Sequence, residues 1–78
     1  IKTDSEKVTA VSNWPQPKKV VELQSFLGMT VYYRKFIKGY TKLAHLLYQL
    51  TKKEAMWEWT DIHENAFSKL KEALTTAL

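Results

Sequence analysis

Apolar residues return every third or fourth position through most of this chain, and that period admits little besides packed helices. Leu43, Leu46, Leu47 and Leu50 form an i, i+3, i+4, i+7 stripe. Ile62, Ala66, Phe67, Leu70, Ala73, Leu74 and Ala77 carry one apolar face through the last stretch. The alternation Met56-Trp57-Glu58-Trp59 falls in a connector over 52–59. The pattern predicts an all-α fold, a small four-helix domain with helices at about 5–13, 19–36, 42–51 and 61–77.

Local signals set those boundaries. Asp4 is placed to cap the first helix, with Glu6 in its first turn and Val8 and Val11 on one face. Trp14-Pro15-Gln16-Pro17 ends it, because a residue before proline is pushed out of the helical region. The second helix starts without a good cap, since Lys19 stands where Ser or Thr would help, although Glu22 favours the helix N-terminus through the macrodipole. Gly39 is the expected break, with Thr41 capping the third helix and Thr60 the fourth.

A chain of 78 residues makes one small domain with a thin stability margin. It has no cysteine, so disulfides, thiol nucleophiles and thiolate metal sites are excluded. No apolar run reaches the ~20 residues that span a bilayer, and no signal-peptide pattern opens the sequence. The expectation is therefore an intracellular monomer, in cytoplasm or nucleus, with no membrane partner. The first residue is Ile rather than Met, which suggests an excised segment, with 1–78 as a single domain.

The net charge of +4 is unevenly placed. Residues 18–42 hold Lys18, Lys19, Arg34, Lys35, Lys38 and Lys42 against Glu22 alone, a local excess of +5. Such an excess suits a polyanion, whereas a solvated basic face is the ordinary alternative.

That basic stretch contains a glycine inside a strong helical pattern, VVELQSFLGMTVYYRKFIKGY. Gly28 costs about 0.5–1 kcal/mol relative to alanine there. With Leu23 at zero on a helical wheel, Val20, Phe26, Leu27, Thr30, Val31 and Tyr33 lie within about 80° and form the core face. Gln24, Gly28 and Tyr32 fall at about 100°, 140° and 180°, a drifting outward stripe flanked by Ser25 and Lys35. The stripe suits a nucleic-acid minor groove. Gly28 permits close approach, Gln24 offers donors and an acceptor, and Tyr32 gives a flat surface against sugars. Lys35, Lys38 and Arg34 can neutralise phosphates on either side. Two readings stay open on pattern alone: Gly28 admits a nucleic acid, or it admits a neighbouring helix.

Other chemistry-bearing residues read as structural. Asp4, Asp61 and Glu64 sit at helix starts, and no carboxylate pair is spaced for two-metal catalysis. His45 and His63 fall on separate helices without the cysteines or clustered carboxylates of a zinc site. Trp57 and Trp59 could stack bases, but packing of the connector against the last helix is the favoured role. Trp14 is expected to plug the core beside Pro15. No metal or cofactor is expected in this chain, and an isolated enzyme is not.

Four ordered motifs carry a likeness to a known family. They are Trp14-Pro15-x-Pro17, Glu22-Leu23-x-x-Phe26-Leu27-Gly28, Tyr32-Tyr33-Arg34-x-Phe36-Ile37, and Trp59-Thr60 followed by Ala66-Phe67-x-x-Leu70-Lys71. Together they resemble, over nearly the whole chain, the thumb and connector region of reverse transcriptases from gypsy-class retrotransposons and related retroviruses. In that family the segment lies between the polymerase palm and the ribonuclease H domain, within a polyprotein. The resemblance implies a parent RNA-directed DNA polymerase whose palm carboxylates, outside this chain, would hold Mg²⁺. It also implies that the glycine-bearing helix tracks the minor groove of a template–primer duplex, RNA–DNA or DNA–DNA. Lentiviral enzymes have Gln, Gly and an aromatic residue at i, i+4 and i+8 of this helix, and Gln24, Gly28 and Tyr32 match those positions. Lys18, Lys19, Arg34, Lys35 and Lys38 would then contact phosphates, with Arg34 leaning toward the core edge. The family usually has Ser or Thr at position 19, often Asn at 31 and commonly Pro at 46, where this chain has Lys19, Val31 and Leu46. Leu46 should let the third helix begin earlier. A chain that departs so from its family also fits a domesticated element, in which the same helix docks another protein.

Overall fold

The computed structural model describes residues 9–77, and their regular structure is helical, with no strand among them. Residues 9–12 belong to α1. Then come α2 (Val20–Tyr32), a 3₁₀ turn (Arg34–Phe36), α3 (Tyr40–Tyr48), a second 3₁₀ turn (Gln49–Thr51) and α4 (Asp61–Ala77). The all-α, four-helix expectation holds. The expected cap at Asp4 and the start of α1 lie outside the described residues.

Three boundaries differ from the sequence reading, among them the end of the third helix, which stops at Tyr48 rather than 51 and passes into the Gln49–Thr51 turn. The helix expected over 19–36 stops at Tyr32, where the Tyr33 N–H bonds back to Thr30 and the chain tightens into the Arg34–Phe36 turn. With Ile37 buried and extended, this tightening turns the chain toward the core. The third helix starts at Tyr40 rather than 42, and its N-cap is Gly39, not Thr41. Gly39 takes φ +73°, a left-handed conformation that glycine adopts without a Cβ penalty. Lys19 is the N-cap of α2 and gives no side-chain bond, as its chemistry predicts. Glu22 substitutes from inside the first turn, accepting the Lys18 N–H at 2.7 Å.

The opening of α4 follows capping-box logic with an unusual acceptor. Thr60 immediately precedes the helix, and its N–H donates to Nδ1 of His63 at 3.0 Å. Its hydroxyl lies 2.9 Å from the same nitrogen. An imidazole three residues on thus does what Glu or Gln does in the common box.

The core gathers Val11, then Leu23, Phe26 and Leu27 of α2, Ile37, Ala44 and Leu47 of α3, Leu50, and Ala66, Phe67, Leu70 and Leu74 of α4. The most extensive packing joins α3 to α4. An aromatic chain runs through this core. Trp14 meets Phe26 edge-on at 5.7 Å, Phe26 meets Phe67 at 4.7 Å, and Phe67 meets Trp59 at 5.7 Å. Each such pair contributes about 0.5–1.5 kcal/mol beyond its buried area. Trp57 stacks on Trp59 at 6.0 Å, and the Trp59 indole N–H donates to Glu64. The tryptophans of the connector therefore pack on the last helix, as expected for them.

Residues at the edges of the predicted apolar faces emerge into solvent. Val31 is exposed rather than buried, in the last turn of α2. Ile62 is exposed too, since the first turn of α4 is at the margin of its apolar stripe.

Candidate nucleic-acid interface

The stripe on α2 is built by one helix with two unlike sides. Leu23, Phe26, Leu27 and Thr30 are buried, while Gln24, Gly28 and Tyr32 are all exposed. Tyr32 presents 76% of its surface, its ring braced edge-on against Tyr33 at 4.9 Å. Gly28 lies in the helix interior with an ordinary helical φ, and a Cβ placed on it meets no atom within 4 Å. Among the described residues, then, no neighbouring helix requires the glycine.

Val21 belongs to the same outward face and was missed by the sequence reading. It is 65% exposed, and on the wheel it falls at about 160°, between Gly28 and Tyr32. Its wheel position was the available signal. The outward face is therefore Val21, Gln24, Gly28 and Tyr32, a ridge without charge.

The cations divide between the ends of this ridge. Lys18 and Lys19 are exposed at its N-terminal end, and Arg34, Lys35 and Lys38 are exposed at its C-terminal end. Thirteen helical residues separate the groups, about 20 Å of axis. Lys35 does not inherit the wheel position expected for it, because it lies in the 3₁₀ turn beyond the helix, its ammonium 5.9 Å from the Phe36 ring centroid. Arg34 is exposed and does not lean into the core; it lines an open groove with Lys38 and Lys42.

A buried polar link fixes α2 against α3. The fully buried Thr30 hydroxyl donates to the Leu27 carbonyl at 2.8 Å and lies 3.1 Å from the Tyr40 hydroxyl. Tyr48 lies along the same groove as Tyr40. Burial, and then the neighbouring Tyr40 phenol, raise the Tyr48 pKa above its ordinary value of 10.0. On the other side of the domain, the Lys71 ammonium donates to the Trp14 carbonyl at 3.0 Å and lies 4.9 Å from the Phe67 ring centroid. Lys71 thereby clamps the proline-rich segment onto α4, a role that no spacing in the sequence announces.

With this geometry in hand, known proteins place the chain in context. An uncharacterized mitochondrial protein of Arabidopsis thaliana is 43% identical over 76 residues, covering 97% of this chain and 48% of that protein. The chain is similar to a segment of retrotransposon polyproteins. The Transposon Tf2-3 and Tf2-4 polyproteins of Schizosaccharomyces pombe are each 39% identical over 71 residues, 91% of this chain and 5% of each polyprotein. These likenesses support a retroelement origin. The chain spans about half the length of the first relative and a small part of the others. No protein-family model matches it, and no solved structure does.

Proposed function

We propose that this chain is the thumb and connector segment of a retroelement RNA-directed DNA polymerase and grips the template–primer duplex through the outward face of α2. The observation that carries this reading is Gly28. It costs helix stability, faces open space and lies mid-way along an exposed, charge-free ridge with cations at both ends. A ridge of that kind can lie against sugars in a shallow minor groove while the flanking cations reach phosphates. Gln24, Gly28 and Tyr32 would contact the groove. Lys18 and Lys19 would meet one backbone, and Arg34, Lys35 and Lys38 the other. Contacts to sugar and phosphate carry no base code, so binding should be sequence-independent and salt-sensitive.

Catalysis in this reading belongs to the palm of a parent polyprotein, whose carboxylates would hold Mg²⁺, and the thumb's share is to position the duplex. Palm and ribonuclease H domains are then its intramolecular partners.

The test is a titration with a short RNA–DNA hybrid followed by amide chemical shifts. The proposal expects shifts centred on Gln24, Gly28, Tyr32 and Lys35 that fade as salt rises. Shifts confined to 57–70, or none at low salt, would overturn it in favour of a protein-docking role for this element.

A further inference from the structure

The groove holding Arg34, Lys38 and Lys42 does not end at the cations. It meets a second groove at Tyr40 and Thr41, and that second groove runs along α3 past His45 to Tyr48. The two form one trough, cationic at one end and aromatic at the other. We propose that this trough binds a single-stranded nucleic-acid segment, with phosphates on Arg34, Lys38 and Lys42 and bases stacked on Tyr40, His45 and Tyr48.

Charge favours a polyanion here. No Asp or Glu occurs between Glu22 and Glu54, while Arg34, Lys35, Lys38, Lys42, Lys52 and Lys53 fall in that interval. The neighbouring groove between Phe36 and α4 differs, because Glu72 faces it together with Lys38 and Lys69 and makes it mixed in sign. A single strand adds a requirement that phosphate alone does not: flat, exposed surfaces for unpaired bases.

The trough supplies such surfaces and holds two of them in place. Tyr40 is anchored through its hydroxyl to the buried Thr30, and Tyr48 lines the same groove. His45 Nε2 lies 3.2 Å from Nε2 of Gln49 one turn on. The Tyr40 and His45 rings are held at their polar edges while the groove leaves surface open, so these two lose little rotamer freedom on stacking. A double helix keeps its bases paired and cannot use these rings in this way.

This site is distinct from the α2 ridge, although Arg34 and Lys38 serve both surfaces. Lys42, Tyr48 and Tyr32 therefore separate the two. The experiment measures anisotropy of a fluorescent oligothymidylate titrated with the chain at low salt, beside an RNA–DNA hybrid as the duplex probe. The expected result is oligothymidylate binding weakened about fivefold by Tyr48→Ala and retained by Tyr48→Phe, which keeps the ring. Lys42→Ala, at an exposed position that leaves folding intact, should lower the slope of log affinity against log salt by about 0.7. Tyr32→Ala should leave oligothymidylate binding unchanged and weaken hybrid binding. The proposal is overturned if oligothymidylate does not bind, or if Lys42→Ala and Tyr48→Ala leave its affinity intact. It is also overturned if Tyr32→Ala weakens it as much as Tyr48→Ala does. Failure of the hybrid to bind overturns only the duplex reading.

Discussion

Replacing Gly28 by alanine separates the demands of folding from those of binding. The position is helical, with ordinary negative φ, and an added Cβ meets nothing within 4 Å. The folded state therefore accepts the methyl without strain, and the unfolded chain loses backbone freedom it would otherwise have. Host–guest scales put the gain at about 0.8–1.0 kcal/mol for a helix interior, and exposure of the methyl to water adds little. For a domain of this size such a gain raises Tm by about 4–8 °C. Circular dichroism melts and urea titrations should show that rise with an unchanged m value. Binding should move the other way. A methyl in the middle of the ridge holds the helix off the duplex, so hybrid affinity should fall about fivefold, or ~1 kcal/mol. A loss of stability in Gly28→Ala would mean that packing requires the glycine, which refutes the geometric argument. A gain in stability with undiminished hybrid affinity would refute the placement of the duplex on this face.

Other perturbations test the remaining physical claims. Gly39→Ala forces a Cβ into a left-handed residue at φ +73° and should cost about 1–2 kcal/mol, read as a lower urea midpoint. Thr30→Val keeps the buried shape but removes the hydroxyl that links Leu27 and Tyr40; a loss of about 1–2 kcal/mol is expected from chemical denaturation. Lys71→Met keeps an apolar stem over Phe67 and removes the bond to the Trp14 carbonyl, so tryptophan fluorescence should report a looser Trp14 and stability should fall by about 1 kcal/mol. Tyr48 gives a pH prediction. Its folded pKa lies above the ordinary 10.0, so the folded state holds the phenol proton more tightly than the unfolded state does. That contribution is complete below pH 10 and is lost as pH rises from there through the folded value. Urea midpoints measured across this alkaline range should fall less steeply in Tyr48→Phe than in the parent chain.

Much of the fold can be read from spacing, because helices repeat and cores need contiguous apolar faces. The α4 stripe is the clearest case: its bounds are the predicted 61–77, and Ala66, Phe67, Leu70 and Leu74 are all buried. Helix ends were harder, because the pattern VVELQSFLGMTVYYRKF continues past Tyr32 while the chain does not stay α-helical. Burial of Ile37 decides that ending, and a distant core position gives no local warning of it. The same holds for the cations. Arg34 and Lys35 read as continuing the helix, but the 3₁₀ turn places Arg34 in the groove with Lys38 and Lys42 and sets the Lys35 ammonium beside the Phe36 ring.

The sequence by itself determined the helical class, the outward stripe of Gln24, Gly28 and Tyr32, and the basic excess beside it. Each depends on period and composition, which are local properties of the chain. Only the tertiary structure decided that none of the described residues fills the space above Gly28. It alone joined Thr30 to Tyr40, clamped Trp14 with Lys71 and merged the Lys42 groove with the Tyr48 groove. Those relations link residues on different elements, and their geometry exists only once the core has set how the helices lie against one another.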